Sequence, residues 1–164
     1  MEYTNISALS LNGGNITDPV GNKAVLKLPA IGDENSLAGN KDIVIDTTPP
    51  ILTSSVPADD EIDVAVDSNI VLTFSEVVDV ETGNIVIYKT SDNSVVETID
   101  VTSNQVTGSG TSQITINPTN DLESLTEYYL KIDATAFDDP AGNSYAGIDD
   151  TTSLSFTTPD IIPP

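Results

Sequence analysis

The residues best suited to chemistry in this chain are carboxylates and a repeated side-chain amide. The five residues Asp18–Asn22 read DPVGN, and Asp139–Asn143 read DPAGN. Carboxylate and amide oxygens are ligands that Ca²⁺ prefers, and about six to eight of them surround each ion. The same pattern is typical of a type I β-turn, with Asp first, Pro second and Gly fourth. The motif therefore predicts either a purely structural turn or a turn whose carboxylate also binds a cation.

The net charge of the chain favours a cation and disfavours anionic partners. The 164 residues include 26 Asp and Glu against five Lys and no Arg, which gives a formal charge of −21. Such a surface repels nucleic acid and anionic lipid, while a divalent cation would relieve its self-repulsion. Calcium is therefore the predicted cofactor, and neither nucleic acid nor direct membrane insertion is expected. The first ten residues lack the basic flank of a signal peptide, so an export signal would lie outside this sequence.

The residue types that are missing argue against catalysis. The sequence has no Cys and no His, which removes thiolate and imidazole ligands and the commonest general base. Paired carboxylates that hydrolyse glycosides need a concave pocket, and a small sandwich offers little concavity. Gly108-Ser109-Gly110 lies in a polar stretch typical of a hairpin loop, not of a phosphate-binding loop. We therefore predict a protein that is not an enzyme.

The elements that must position these carboxylates are β-strands. Short runs with apolar residues at every second position recur along the chain, bounded by Gly, Pro, Asn or Asp, and nothing comparable appears at helical spacing. The alternating residues are Ile70, Leu72, Phe74, Ile85, Ile87, Ile114, Ile116, Tyr128, Leu130, Ile132, Leu154 and Phe156. About seven such strands within roughly 110 residues predict an all-β, antiparallel β-sandwich.

The repeated turn also organises the chain into modules. When Asp18 is aligned with Asp139, apolar residues coincide before the turn, and both copies continue to a Thr-Thr-Pro sequence. Residues 1–48 are interpreted as the last strands of one module with its linker, 49–160 as a complete module, and 161–164 as the start of the next linker. Consecutive prolines hold a linker extended. This organisation predicts a stalk or spacer built of tandem modules.

Residues 51–159 resemble the bacterial Ig-like domains of surface-layer proteins and large adhesins. The resemblance is carried by Pro57, Phe74-Ser75-Glu76, Tyr128-Tyr129 and the Asp139–Asn143 turn. Residues 7–29 and 43–50 are similar to the end of a related repeat of bacterial surface proteins with RTX-type secretion. The resemblance implies an extracellular, cell-surface repeat whose partners are neighbouring Ig-like repeats, commonly rigidified by calcium. It also implies that Tyr128 is a tyrosine corner, whose hydroxyl bonds back to the chain.

The topology implied by this resemblance gathers acidic residues at the two ends of the sandwich. Residues expected at the junction with the preceding module are Asp46, Glu76, Asp79, Asp138, Asp139 and Asn143. A weaker group expected at the opposite end comprises Asp59, Asp60, Glu61 and Asp160, with Asp63, Asp121 and Glu123 nearby. Calcium bound at either end would fix the angle between modules.

Each of these interpretations has an alternative. The Asp59–Glu61 run is also typical of a solvated loop, and Glu76 can mark the exit of a strand into solvent. The alternative function is a module that binds carbohydrate or protein, attached to a secreted enzyme or an adhesin. Sugar sites favour exposed aromatic rings, and Tyr88, Tyr129 and Tyr145 are the candidates for such positions.

Overall fold

The computed structural model describes residues 14, 16–24, 30, 33–34 and 45–161. The chain divides into two compact units, Met1–Ile45 and Asp46–Pro164. The interpretation of residues 1–48 as a partial module falls mostly outside the described residues. That interpretation and the module boundaries at 48 and 160 stay predictions.

The described part of the second unit contains nine β-strands in two sheets. Their bounds are β1 Leu52–Val56, β2 Ile70–Val80, β3 Asn84–Lys89, β4 Val95–Asp100, β5 Val106–Thr107, β6 Thr111–Ile116, β7 Glu127–Ile132, β8 Phe137–Asp138 and β9 Ser155–Thr157. One sheet has the order β1-β2-β6-β5, with β8 also paired to β2, and the other has the order β4-β3-β7-β9. All pairings between these strands are antiparallel. The predicted all-β sandwich is confirmed, and seven of the strands have three or more residues.

The core lies between the two sheets and consists of the residues that alternate in the sequence. All twelve alternating residues are at most 3% exposed. Because side chains of a strand point to opposite faces in turn, every second residue reaches the space between the sheets. Burying a Val, Leu, Ile or Phe side chain stabilises a fold by about 1.5–3 kcal/mol. The core therefore uses the inner faces of both sheets, and the ends of the sandwich are formed by connections.

Tyr128 anchors one of these connections from within the core. Its ring is fully buried and lies 5.9 Å from the ring of Phe156. The main-chain N–H of Glu123 donates a hydrogen bond to the Tyr128 hydroxyl at 2.8 Å. The predicted tyrosine corner is confirmed, and it ties the β6–β7 connection to β7.

The expectation that Tyr129 and Tyr145 are exposed is wrong. Tyr129 is 3% exposed, stacks on Tyr88 with a centroid distance of 5.0 Å, and donates its hydroxyl proton to Asn93 Oδ1 at 3.1 Å. Tyr145 is 6% exposed and packs edge-on against Phe74 at 5.2 Å. Alternation identifies the inner face of a strand, but it does not reveal which neighbouring groups cover the other side chains.

The sandwich has two ends that we name by the direction of the chain. The entry pole is the end at which Asp46–Ile51 leads into β1, and it also carries the β2–β3 connection and the segment around β8. The exit pole carries the connections 57–69 and 117–126 and the outgoing segment 158–161. Glu76 does not mark the exit of a strand, because β2 runs through it to Val80. A register shift between Thr73 and Val78 accompanies this longer strand.

Candidate metal centre

The turn after β8 is organised by the side chain of Asp139. Its Oδ1 accepts hydrogen bonds from the main-chain N–H groups of Ala141 and Asn143, both at 2.8 Å. Its Oδ2 accepts one from Asn143 Nδ2 at 2.8 Å, and the Gly142 N–H donates to the Asp139 carbonyl at 3.0 Å. The Asn143 side chain is the main cause that lowers the pKa of Asp139, while burial acts in the opposite direction. The predicted turn is confirmed, and its carboxylate is ionised at neutral pH.

Asp139 belongs to a cluster of three carboxylates at the entry pole. Asp46, Glu76 and Asp139 each place one carboxylate oxygen within 4.8 Å of the others. They come from the incoming segment, from β2 and from the turn after β8, and they are exposed, half-buried and buried in that order. Asn143 Nδ2 also donates to the Asp46 carbonyl at 3.2 Å, which links the incoming segment to the turn. We call Asp46, Glu76 and Asp139 the entry-pole cluster.

The electrostatics of the entry-pole cluster are unfavourable without a counter-charge. Partial burial raises the pKa of Glu76, and the negative charges of Asp46 and Asp139 raise it further. None of the described lysines forms an ion pair with these three residues, since the ion pair that is present joins Lys89 to Glu123 at 2.8 Å. Three like charges therefore meet without a cationic side chain from the described part of the protein.

The geometry of the entry-pole cluster fits a divalent cation that prefers oxygen. Calcium–oxygen distances are about 2.3–2.6 Å, so two oxygens bound to one ion lie at most about 5 Å apart. The 4.8 Å limit on the carboxylate oxygens satisfies this condition. The ligand types suit Ca²⁺ or Mg²⁺ better than Zn²⁺, because the sequence contains neither His nor Cys. Water would supply the remaining coordination positions.

Three residues expected at this pole are not members of the cluster, although one of them, Asn143, donates from its side-chain amide to Asp139 and to the Asp46 carbonyl. Asp79 and Asp138 lie opposite each other where β2 pairs with β8. The Ser109 hydroxyl donates to Asp79 Oδ1 at 3.4 Å. Adjacent residues of an extended chain point to opposite sides, so Asp138 and Asp139 are not expected to reach the same ion.

The acidic residues of the exit pole bond mainly to groups of the sandwich itself. Ser155 donates from its N–H to Asp59 Oδ1 at 2.9 Å and from its hydroxyl to Asp60 Oδ1 at 3.1 Å. The Ala58 N–H donates to Glu61 Oε2 at 2.7 Å. Asp160 lies on the outgoing segment, and within the described residues these four acids form no three-carboxylate cluster. A calcium site at the exit pole therefore stays a prediction, because these acids form no cluster like that of the entry pole within the described residues.

The first copy of the motif forms the same turn as the second. Asp18 Oδ1 accepts hydrogen bonds from the N–H groups of Val20 at 3.0 Å and Asn22 at 2.8 Å. Asn22 Nδ2 donates to Asp18 Oδ2 at 2.7 Å, and the Gly21 N–H donates to the Asp18 carbonyl at 3.0 Å. Asp18 is exposed. No carboxylate cluster includes Asp18 within the part of the chain that the structure describes.

All three members of the entry-pole cluster were predicted from the sequence, but several of the groups that hold the acids were not. Ser109 and Ser155 bond to predicted acids. The Gly108-Ser109-Gly110 sequence predicts only a hairpin loop, and no motif marks Ser155.

The part of the chain that the structure describes contains no helix with the length and hydrophobicity of a membrane span.

Comparison with solved structures finds two chains with limited structural similarity and low sequence identity. CopC from Methylosinus trichosporium OB3b is 13% identical, with a TM-score of 0.49, and the match covers 70% of this chain and 97% of that one. The S-layer protein rSbsC(31-844) is 17% identical, with a TM-score of 0.43, and the match covers 71% of this chain but 14% of that one. No curated protein matches the chain.

The family comparison covers most of the second unit. The model of the bacterial Ig-like domain matches residues 46–158, which begin at Asp46 of the entry-pole cluster and end just after β9. This match includes the nine strands, the tyrosine corner and the turn at Asp139. The chain therefore belongs to the bacterial Ig-like domain family.

Proposed function

We propose that the chain is a non-enzymatic spacer segment of an extracellular bacterial surface protein, stiffened by Ca²⁺ at its entry pole. The observation that carries the proposal is the convergence of Asp46, Glu76 and Asp139 from three chain segments. Membership of the bacterial Ig-like family supports a modular role. The formal charge of −21 supports a requirement for cations.

A bound ion would act on the connection into the sandwich. Asp46 precedes Thr47-Thr48-Pro49-Pro50, whose two prolines restrict the backbone before β1. The Thr48 N–H already donates to Asp46 Oδ1 at 3.0 Å, so the Asp46 carboxylate is held close to its own segment. An ion shared by Asp46, Glu76 and Asp139 would fasten this segment to β2 and to the turn. The partner on the far side of the connection is a neighbouring repeat of the same chain.

Calcium titration of the whole chain tests the proposal. We expect heat of binding in calorimetry and a Tm that is higher in millimolar Ca²⁺ than in EGTA, because a ligand that binds only the folded state stabilises it. At a free concentration of about 100 times Kd, this stabilisation is about 2.7 kcal/mol. An unchanged Tm and no heat at millimolar Ca²⁺ would contradict the metal site.

A matched pair of variants assigns the binding to the entry-pole cluster. Glu76→Gln removes one carboxylate of the cluster and should abolish most of the calcium-dependent rise in Tm. Glu127→Gln changes the net charge equally, at an exposed position on β7, and should keep the rise. Equal responses of the two variants would show that calcium acts on the overall charge and not on this cluster.

The alternative function is a module that binds carbohydrate or protein, and its carbohydrate-binding form receives less support. Two of its three aromatic candidates, Tyr129 and Tyr145, are buried. Tyr88 is partly exposed, but its ring is stacked on Tyr129.

A further inference from the structure

The exit pole exposes large aliphatic side chains in a chain that is otherwise strongly acidic. Ile62 and Leu125 are each 70% exposed, and Ile161 is 57% exposed. We call these three residues the exit-pole patch. Scattered exposed aliphatic residues are normal, whereas a group of them at one end of a module is typical of a contact surface.

Leu125 and Ile161 are held together by the outgoing segment. The Leu125 N–H donates to the Pro159 carbonyl at 3.0 Å. The Ser124 hydroxyl donates to the same carbonyl at 3.0 Å and accepts from the Ile161 N–H at 3.0 Å. These bonds fasten the outgoing chain to the Ser124–Leu125 corner and place Ile161 beside it.

Ile62 flanks the same segment on its other side. The Thr157 N–H donates to the Glu61 carbonyl at 2.8 Å, and the Val64 N–H donates to the Thr157 carbonyl at 3.1 Å. The outgoing segment is therefore bordered by the residues around Ile62 on one side and by Leu125 on the other. All three patch residues therefore lie on or next to segments that hydrogen-bond with the outgoing chain.

The backbone of Leu125 is unusual for an exposed leucine. Its φ is +50°, in the left-handed region that bulky side chains rarely adopt. Asn or Gly would occupy this region at less cost and would expose less apolar surface. An exposed and strained Leu that fills no space inside the sandwich points to a role outside it.

The position of the outgoing chain limits what can cover the patch. After Ile161 the sequence continues Ile162-Pro163-Pro164, and Pro-rich chain extends by about 3.1 Å per residue. A module that follows within a few residues would therefore begin within about 15 Å of the patch. Such a short tether holds it at millimolar or higher effective concentration.

The entry pole of a module of this kind offers a matching surface. Ile51 and Val77 are 61% and 41% exposed. The Ser75 N–H donates to the Ile51 carbonyl at 2.9 Å, so Ile51 lies next to the part of β2 that carries Val77. The aliphatic contact would have to outweigh the repulsion between acidic residues next to it, such as Glu61 at the exit pole and Glu76 at the entry pole.

We propose that the exit-pole patch docks the entry pole of a following Ig-like module, against its residues equivalent to Ile51 and Val77. The contact is head-to-tail, so it propagates along an array and does not close into a dimer. This inference rests on the proposed spacer function. It adds a second contact to each junction, one that needs no metal.

The test is a tandem protein in which the full 164-residue chain is followed by a second copy of residues 46–164. NMR relaxation measures whether the two sandwiches tumble together. We expect one common correlation time, clearly longer than that of the single chain, in EGTA as well as in Ca²⁺. Two independent correlation times near that of the single chain in both buffers would overturn the docking.

Variants of the tandem locate the contact. Leu125→Asn with Ile62→Ser in the first copy, or Ile51→Ser with Val77→Ser in the second, should lower the correlation time towards that of independent sandwiches. Asn tolerates the left-handed backbone, so Leu125→Asn should not lower the Tm of the single chain. The control is Val95→Ser with Val96→Ser, exposed aliphatic residues of β4 outside the patch, which should change nothing.

The outcomes separate this inference from the calcium proposal. Equal effects of patch and control variants would overturn the docking, even if the single chain binds Ca²⁺ normally. Common tumbling in EGTA that is lost in the patch variants would support the docking, even if Ca²⁺ does not bind.

Discussion

The turns at Asp18 and Asp139 share a sequence pattern and a hydrogen-bond network but differ in their surroundings. In each, the Asp accepts bonds from two main-chain N–H groups and from an Asn side chain. In each, that Asn side chain is the main cause of the lowered pKa of the Asp. Asp18 is exposed, whereas Asp139 is 3% exposed and lies beside Glu76 and Asp46. Turn formation explains the motif in both copies, and other chain segments make the second copy a candidate metal site.

The largest expected difference between the two turns is in stability. Asp139→Ala removes a buried acceptor from three donors, and we expect it to lower the Tm of the sandwich by several degrees in EGTA. Asp18→Ala makes the same change at an exposed turn of the other unit and should leave the melting of the sandwich unchanged. Thermal melts of both variants by circular dichroism make the comparison. Equal effects would show that the burial of Asp139 adds nothing to the turn.

Replacing the Asn that hydrogen-bonds to each Asp gives the next largest expected effect on Tm. Asn143→Asp replaces a donor to Asp139 Oδ2 with a negative charge, next to a cluster that is already negative. We expect a lower Tm in EGTA and a larger calcium-dependent rise in Tm than in the unmodified chain. Asn22→Asp should not change the calcium response, because Asp18 is in no such cluster. A calcium response that is the same in all three proteins would argue against Asp139 as a ligand.

The change in Tm caused by Glu76→Gln should have opposite signs in EGTA and in saturating Ca²⁺. In EGTA at pH 7 the variant removes a half-buried charge repelled by two others, so we expect a small rise in Tm. In saturating Ca²⁺ it removes a ligand, so we expect a lower Tm than that of the unmodified chain. Differential scanning calorimetry in both buffers measures the two differences. A lower Tm in both buffers would show that Glu76 stabilises the fold without metal.

The smallest expected effect is the pH dependence of the difference in Tm between Glu76→Gln and the unmodified chain in EGTA. Because the pKa of Glu76 is raised in the folded protein, the folded state binds more protons than the unfolded state, and stability falls as pH rises through the raised pKa. In EGTA the higher Tm of Glu76→Gln relative to the unmodified chain should therefore approach that of the unmodified chain as pH is lowered towards the ordinary pKa of 4.5. Glu127→Gln is the control and should show no such trend. A constant difference from pH 7 to pH 4.5 would contradict the repulsion within the cluster.

The inner faces of the strands and both turns follow from local sequence patterns. The alternation from Ile70 to Phe74 and the Asp-Pro-x-Gly-Asn motif depend on residues close together in the chain, so each can be read without the rest of the fold. Which acids belong to the entry-pole cluster depends also on how distant segments of the chain are brought together. Glu76 reaches Asp139 because β2 continues through a register shift to Val80, which alternation does not predict. The burial of Tyr129 likewise depends on Tyr88 and Asn93, which lie on other parts of the chain.

The pairing of the segment after β1 with the last strand, β9, has a mechanical consequence. The segment after β1 runs parallel to β9, with a bridge between Glu61 and Phe156 and a hydrogen bond from the Asp60 N–H to the Ser155 carbonyl at 2.9 Å. A pull on the two ends of the domain would slide these parallel neighbours along each other, so their bonds would be loaded in shear and would stretch together. Antiparallel neighbours pulled from one end would instead open one bond at a time. The rate of forced unfolding would measure how strongly these bonds resist such a pull.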